Sequence, residues 1–230
     1  LRTVSEQAVR VFTPAPAEGV QAVLDAHDLG PGDVILLQAG SYAGFTLGAD
    51  DAGVLVLGAP GLASVVSGGV AVQPGAGGVL QRLQLLGGLT ETGSQGLAIV
   101  GCVLGGELTL DGGTALQVLH STFNGPDTGI RVAGASQGLI AHNDIGAAGT
   151  GIDLAAPFAG AIRDNDIHGA ALGVRYDAAA PLLANRIHGN AVGVRTSVSG
   201  AGALGWVGDF PLAGVVEGRL QNEIFANTTG

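Results

Sequence analysis

The sequence predicts an all-β chain wound as a parallel β-helix, a solenoid of roughly nine or ten coils closed at its N-terminal end by a short α-helix. Three observations predict it. One phrase recurs: residues 138–145 (Gly-Leu-Ile-Ala-His-Asn-Asp-Ile) with 151–154, 160–167 with 173–176, and 181–187 with 193–196. Its asparagines fall at 143, 165 and 185 and its Gly-Ile/Val pairs open at 151, 173 and 193, so both series step by 22 and then 20 residues. A fixed period of this size belongs to stacked repeats. Second, each repeat holds apolar stretches of only three to six residues between Gly, Asn, Asp and Pro, which leaves no room for a helix. Third, 42 glycines and only 12% charged residues suit coils made of inward aliphatics and tight turns.

Taken in order, residues 9–12 read as a first strand. Pro14 and Pro16 introduce an amphipathic helix over roughly 17–26, with the whole cap at 17–28. Val20, Val23 and Leu24 are spaced to cover the open end of the core. The turn at Gly30-Pro-Gly-Asp33 stops the helix, and Val34-Ile-Leu-Leu37 starts the solenoid. Strands follow at 54–57, 70–72, 83–85, 97–100 and 108–110. Gly75-Ala-Gly-Gly78 is a turn without the Lys-Ser/Thr of a phosphate loop. Val103, Phe123 and Ile145 are expected to continue the inward position of the later repeats. Asn143, Asn165 and Asn185 are expected to stack as a ladder at one bend, because asparagine tolerates left-handed backbone angles and its amide can bond the next coil. The step from Asn185 to Asn222 is 37 residues, so residues 197–213 form a long insertion that carries the single tryptophan, Trp206. Residues 1–230 make one domain. With no methionine, and ending at Asn227-Thr-Thr-Gly230 where the next Gly-Ile/Val strand is due, the chain reads as a fragment of a longer protein or as one whose end lacks a half-coil.

The Asn-x-Ile and Gly-Ile/Val-x-x phrases resemble the right-handed parallel β-helix superfamily of pectin lyase-like proteins. The stretch Pro31-Gly-Asp-Val-Ile-Leu-Leu-Gln-Ala-Gly-Ser-Tyr42 is similar to the first coil of its alginate lyase and chondroitinase-type members. The resemblance implies a right-handed solenoid and a secreted or cell-surface setting. It is specific for fold and weak for activity. Lyases of the superfamily use a lysine and an arginine on the outward face. Here all nine cations are arginines, so that pair is not carried over. Hydrolases of the polygalacturonase kind need a cluster of aspartates on adjacent coils of the groove face, and here Asp153 stands alone in its column, with Asp177 its nearest companion.

Charge and cysteine count exclude more. A formal net charge of −10 argues against a nucleic-acid partner, since no basic stripe is rich enough to neutralise phosphates. Although mean hydropathy is +0.44, no apolar run approaches a membrane helix of about 20 residues. The single cysteine, Cys102, cannot form an intrachain disulfide and reads as a packing residue.

In a Gly-Ile-x-Leu strand the aliphatics face in and the residue between them faces out. Read coil by coil, this places Thr109, Arg131, Asp153, Arg175 and Arg195 in one outward column, either a solvated charge ladder or a groove for sugar carboxylates and sulfates. Trp206 is a candidate either to fold inwards and plug a widened coil, since aromatics bury large areas, or to overhang that column and stack on a sugar ring. A second column holds Thr122, Asp144, Asp166 and Arg186, with Glu223 one coil later. Its stacked carboxylates call for a cation or for Arg163 between them. Calcium is conceivable, but no dense Asp/Asn/Gly loop is present, so no metal or other cofactor is assigned. His168 and His188 form a further pair. If the chain is an enzyme, Asp153, His168 and His188 are the candidate catalytic residues, acting on a polysaccharide as lyase, hydrolase or epimerase. The leading expectation is a non-catalytic scaffold or weak carbohydrate-binding module. Its partner would be an acidic polysaccharide, and end-to-end self-association is the third possibility.

Overall fold

The computed structural model describes residues 9–196 and 221–229 of the chain. They form a parallel β-solenoid of about eight turns, fewer than the nine or ten expected. The difference has two sources: the N-terminal cap takes up chain without adding a coil, and the 37-residue step closes one coil. Along each turn the chain gives one short strand to each of three sheets, of nine, nine and eight strands. The first sheet includes Val34–Leu36, Val54–Leu57 and Leu97–Val100; the second, Asp144–Ile145, Asp166–His168 and Arg186–His188; the third, Thr128–Val132, Thr150–Leu154 and Leu172–Tyr176. Each strand pairs in parallel with the strand one turn away, so backbone groups that a lone short strand would leave open are satisfied.

The core is the axis of the stack. Ile145, Ile167 and Ile187 lie in register and are fully buried. The row they belong to runs back through Phe123 to Leu104, not to Val103. The coil between Leu104 and Phe123 is one residue shorter than a 20-residue step, and in a strand one residue exchanges the two faces. Val103 is therefore the outward neighbour of Thr122.

The asparagine ladder is present and buried. The Nδ2 group of Asn143 donates to Oδ1 of Asn165 (2.9 Å), and that of Asn165 to Asn185 (2.9 Å). Asn185 bonds Asn222 in the same way (2.9 Å), across the 37-residue step. Each amide also donates to the carbonyl three residues before the ladder position below it, as Asn165 does to Ile140 (3.0 Å) and Asn143, above Ser121, to Val118 (2.9 Å), and accepts from the backbone N–H of its lower neighbour. The left-handed residue at this bend is the one before the ladder. His120, His142, Asp164 and Ala184 have φ between 51° and 57°, a strained region for residues with a Cβ, which the buried amide network holds in place. A second, shorter ladder, unforeseen in the sequence, joins Asn190 to Asn227 (3.0 Å) at the next bend.

The first coil is fastened by its own motif. Helix α1 (Gly19–Ala26) buries Val20, Val23 and Leu24 against the end of the core. Asp33 is 3% exposed; its carboxylate accepts from the Gly30 N–H (2.9 Å) and from Arg10 Nε (3.0 Å) and Nη2. Tyr42 is buried, and its hydroxyl accepts from the Gln38 N–H (3.0 Å). The Pro-Gly-Asp and Gly-Ser-Tyr segments thus pin the entering strand to the stack. The Arg10 guanidinium holds the Asp33 carboxyl well below the usual carboxylate range. A depressed folded value means this contribution is complete above the unfolded value of about 3.9 and is lost as pH falls through the folded one. Asp33→Asn should therefore be less stable than wild type at neutral pH, and urea titrations should show the gap closing below about pH 4. A gap unchanged between pH 7 and pH 2.5 would contradict this account.

Glu91 also belongs to the architecture. It occupies an inward row between Val72 and Leu110 and is fully buried, accepting from the backbone N–H groups of Ser94 (2.6 Å) and Asp111 (3.1 Å). Its carboxylate closes a corner of the coil by satisfying two buried donors.

Candidate functional site: two outward columns of charge

The predicted outward column of the third sheet exists in register. Thr109 pairs with Arg131, Arg131 with Asp153, Asp153 with Arg175, and Arg175 with Arg195. The arginines alternate with inward Ile130, Ile152 and Val174, which the core requires, so the pleat itself turns their side chains to solvent. Arg131 and Arg175 are about half exposed, and Arg195 is exposed. The short Asp153 side chain is 5% exposed beneath the two longer guanidinium groups. Its Oδ2 lies 4.0 Å from Arg131 Nε and 3.9 Å from Arg175 Nη1, too far for a good hydrogen bond. Its Oδ1 is buried with no hydrogen-bond partner among the described residues. Arg175 turns its Nε to Asp177 at 2.9 Å. Asp153 thus offsets charge in the column without saturating the guanidinium donors of Arg131 and Arg175. Arg175 and Arg195 are one strand spacing apart, about 5 Å, and Arg131 and Arg175 two, about 10 Å. Trp206 and the insertion expected at 197–213 lie outside the described residues.

The second column lies on the second sheet, with Thr122, Asp144, Asp166, Arg186 and Glu223 in register. Arg163 does not relieve its stacked carboxylates, because its guanidinium pairs with Asp164. Histidines do it instead: His168 Nε2 lies 2.8 Å from Asp144 Oδ1, and His188 Nε2 lies 2.7 Å from Asp166 Oδ1. Arg186 adds a contact to Asp166 at 3.4 Å and one to Glu223 at 3.6 Å. An ionised carboxylate can only accept, so in each pair the proton sits on Nε2 and the ring is fixed in orientation. The rings stack, 5.5 Å between His168 and His188 and 4.9 Å between His188 and Phe225. A pocket of about 220 Å³ lies beside this column, lined by Asp164, Asn165, Asp166, Ala184 and Arg186. Among the described residues no group of three or more His, Cys, Asp or Glu side chains is placed to hold a metal ion.

The candidate catalytic residues are not brought together. Asp153 belongs to the third sheet, and His168 and His188 to the second. Tyr176, next to Arg175 on the third sheet, points inward with its hydroxyl on the Ala180 carbonyl. Cys102 is buried as a packing residue, and burial pushes its thiol up to about 11. The sequence reading missed the pairing of each histidine with the aspartate one coil earlier. The sequence shows only that they share a face: Asp166 and His168 flank an inward isoleucine, so both face out, and the same spacing recurs one coil on at Arg186 and His188.

Comparison of the chain with protein-family models, with curated proteins and with solved structures finds no match.

Proposed function

We propose that the chain is a non-catalytic β-solenoid module of a secreted or cell-surface protein whose third-sheet face binds an acidic polysaccharide weakly. One observation carries this reading. Three of the nine cations of a chain with net charge −10 stand in one outward column, with guanidinium donors left over after their contacts to carboxylates. Guanidinium groups hold carboxylates and sulfates through paired hydrogen bonds, and a column at strand spacing suits a linear polymer better than a compact ligand. The separation of Asp153 from the two histidines supports the non-catalytic half of the reading. Membership of the pectin lyase-like superfamily, and with it the extracellular setting, is part of the same proposal. Its support is the Asn-x-Ile phrase, here a buried ladder, and the Pro-Gly-Asp segment that fastens the first coil.

Binding to immobilised alginate and polygalacturonate tests it. The expected dissociation constant is in the range of about 0.1–1 mM, weakening with added salt because the charges are exposed. Arg175→Ala with Arg195→Ala should remove measurable binding while leaving the melting temperature within about 2 °C, since surface changes of this kind are close to neutral for stability. Equal retention of wild type and double variant would make the column a structural ladder. New reducing ends or unsaturated uronates in the same samples would overturn the non-catalytic reading, with the two Asp–His pairs the first residues to change.

A further inference from the structure

The first sheet is apolar on both faces. Its inner rows fill the core, as expected, but its outer rows are also aliphatic. Leu55, Val79 and Ala98 stack in one outward row, and Leu57 and Val100 flank Gln81 in the next, all partly exposed. Leu119 and Leu139 continue the two rows upward. Among the described residues Gln81, Gln117, Gln137 and Arg163 interrupt this surface, and no acidic side chain stands in either row, although the chain carries 19 acids. The other two sheets alternate in the usual way, placing Thr, Asp, Arg and Glu outward. A parallel sheet whose strands read apolar throughout is one that is covered on both sides.

We infer that the outer face of the first sheet is the contact through which two copies of this chain associate side by side. Two features select a second copy as the occupant. The first is charge. At net −10, two copies repel over most of their surfaces, and this face is a long surface on which they can meet without opposing carboxylates. The second is area. Nine strands of about four residues span roughly 40 by 13 Å, about 500 Å² on each copy, so a pair buries about 1,000 Å² in total. That is the lower limit for specific association and fits a weak, concentration-dependent dimer. The contact is isologous, so the apolar rows of one copy meet those of the other.

Sedimentation of the purified chain over about 1–200 μM tests it, with half-dimerisation expected at tens of micromolar. Raising the salt from about 50 to 500 mM should tighten the dimer several-fold by screening the repulsion between acidic copies. Gln81→Glu with Gln117→Glu, nearly isosteric changes that put carboxylates in the contact, should weaken it at least about tenfold. Thr90→Glu with Thr92→Glu adds the same charge to the exposed side of the third sheet and should leave it within about twofold. Circular dichroism on both variants confirms that the fold is kept. A wild-type monomer at all concentrations overturns the inference and gives the face to another occupant, such as a different protein. A dimer that Gln81→Glu with Gln117→Glu does not weaken overturns it as well.

Discussion

Replacing Asn165 by alanine should destabilise the fold by roughly 3–5 kcal/mol, the largest single-residue effect expected in this protein. Asn165 sits in mid-ladder and is 1% exposed. Its Oδ1 accepts from the backbone and side chain of Asn143, and its Nδ2 donates to Ile140 and Asn185. Alanine removes one bond from each of these buried groups, although Asn185 Oδ1 keeps the Asn165 backbone N–H and Asn143 Nδ2 keeps the Val118 carbonyl. A buried group left without a partner costs about 1–3 kcal/mol when water cannot replace the lost bond. The change also frees the neighbouring bend, where Asp164 is held at φ 55°. Asn165→Asp should be nearly as harmful at neutral pH, because it keeps the acceptor but turns a second oxygen towards the Ile140 carbonyl. Asn222→Ala should cost about half as much, since Asn222 is the most exposed member of the ladder at 9%. Urea unfolding followed by circular dichroism measures all three. A loss below about 1 kcal/mol at Asn165 would show that the ladder decorates the stack without holding it.

Deleting residues 17–26 should make the protein aggregate. Val20, Val23 and Leu24 are at most 7% exposed on the inner side of α1, which packs against the strand Phe45–Leu47. Without them the apolar axis opens to water at one end, beside strands with unpaired N–H and C=O groups. An exposed apolar strand edge recruits other chains. Light scattering coupled to size-exclusion chromatography should find the deletion variant in large assemblies under conditions where the full chain elutes as small species. The same experiment on Val23→Asp, which keeps the helix but places a charge on its buried side, should give an intermediate outcome. A folded deletion variant that elutes like the full chain would remove the capping role from α1.

The arginine column and the Asp–His pairs differ in how far the sequence exposed them. Arg131, Asp153, Arg175 and Arg195 are related by whole coils along one row, so counting 22 and 20 residues was enough to stack them. His168 and Asp144 are related by a coil and a two-residue offset, a diagonal contact. A diagonal depends on rotamer and on the local twist of the sheet, and neither is written in the period. The burial of Asp153 was hidden for a similar reason: it follows from the length of the arginines above and below it, not from its own position in the strand.

The sequence by itself determined the solenoid, the stacked isoleucines, the asparagine ladder and the capping helix. Each follows from a pattern that repeats along the chain, and stacking turns a repeated pattern into a straight row. The tertiary structure alone decided which residue takes the left-handed angle, which of Val103 and Leu104 faces the core, and which carboxylate meets which histidine. Those outcomes turn on coil lengths that vary by one to three residues. In a strand, where faces alternate at every residue, one residue is enough to exchange inside and outside.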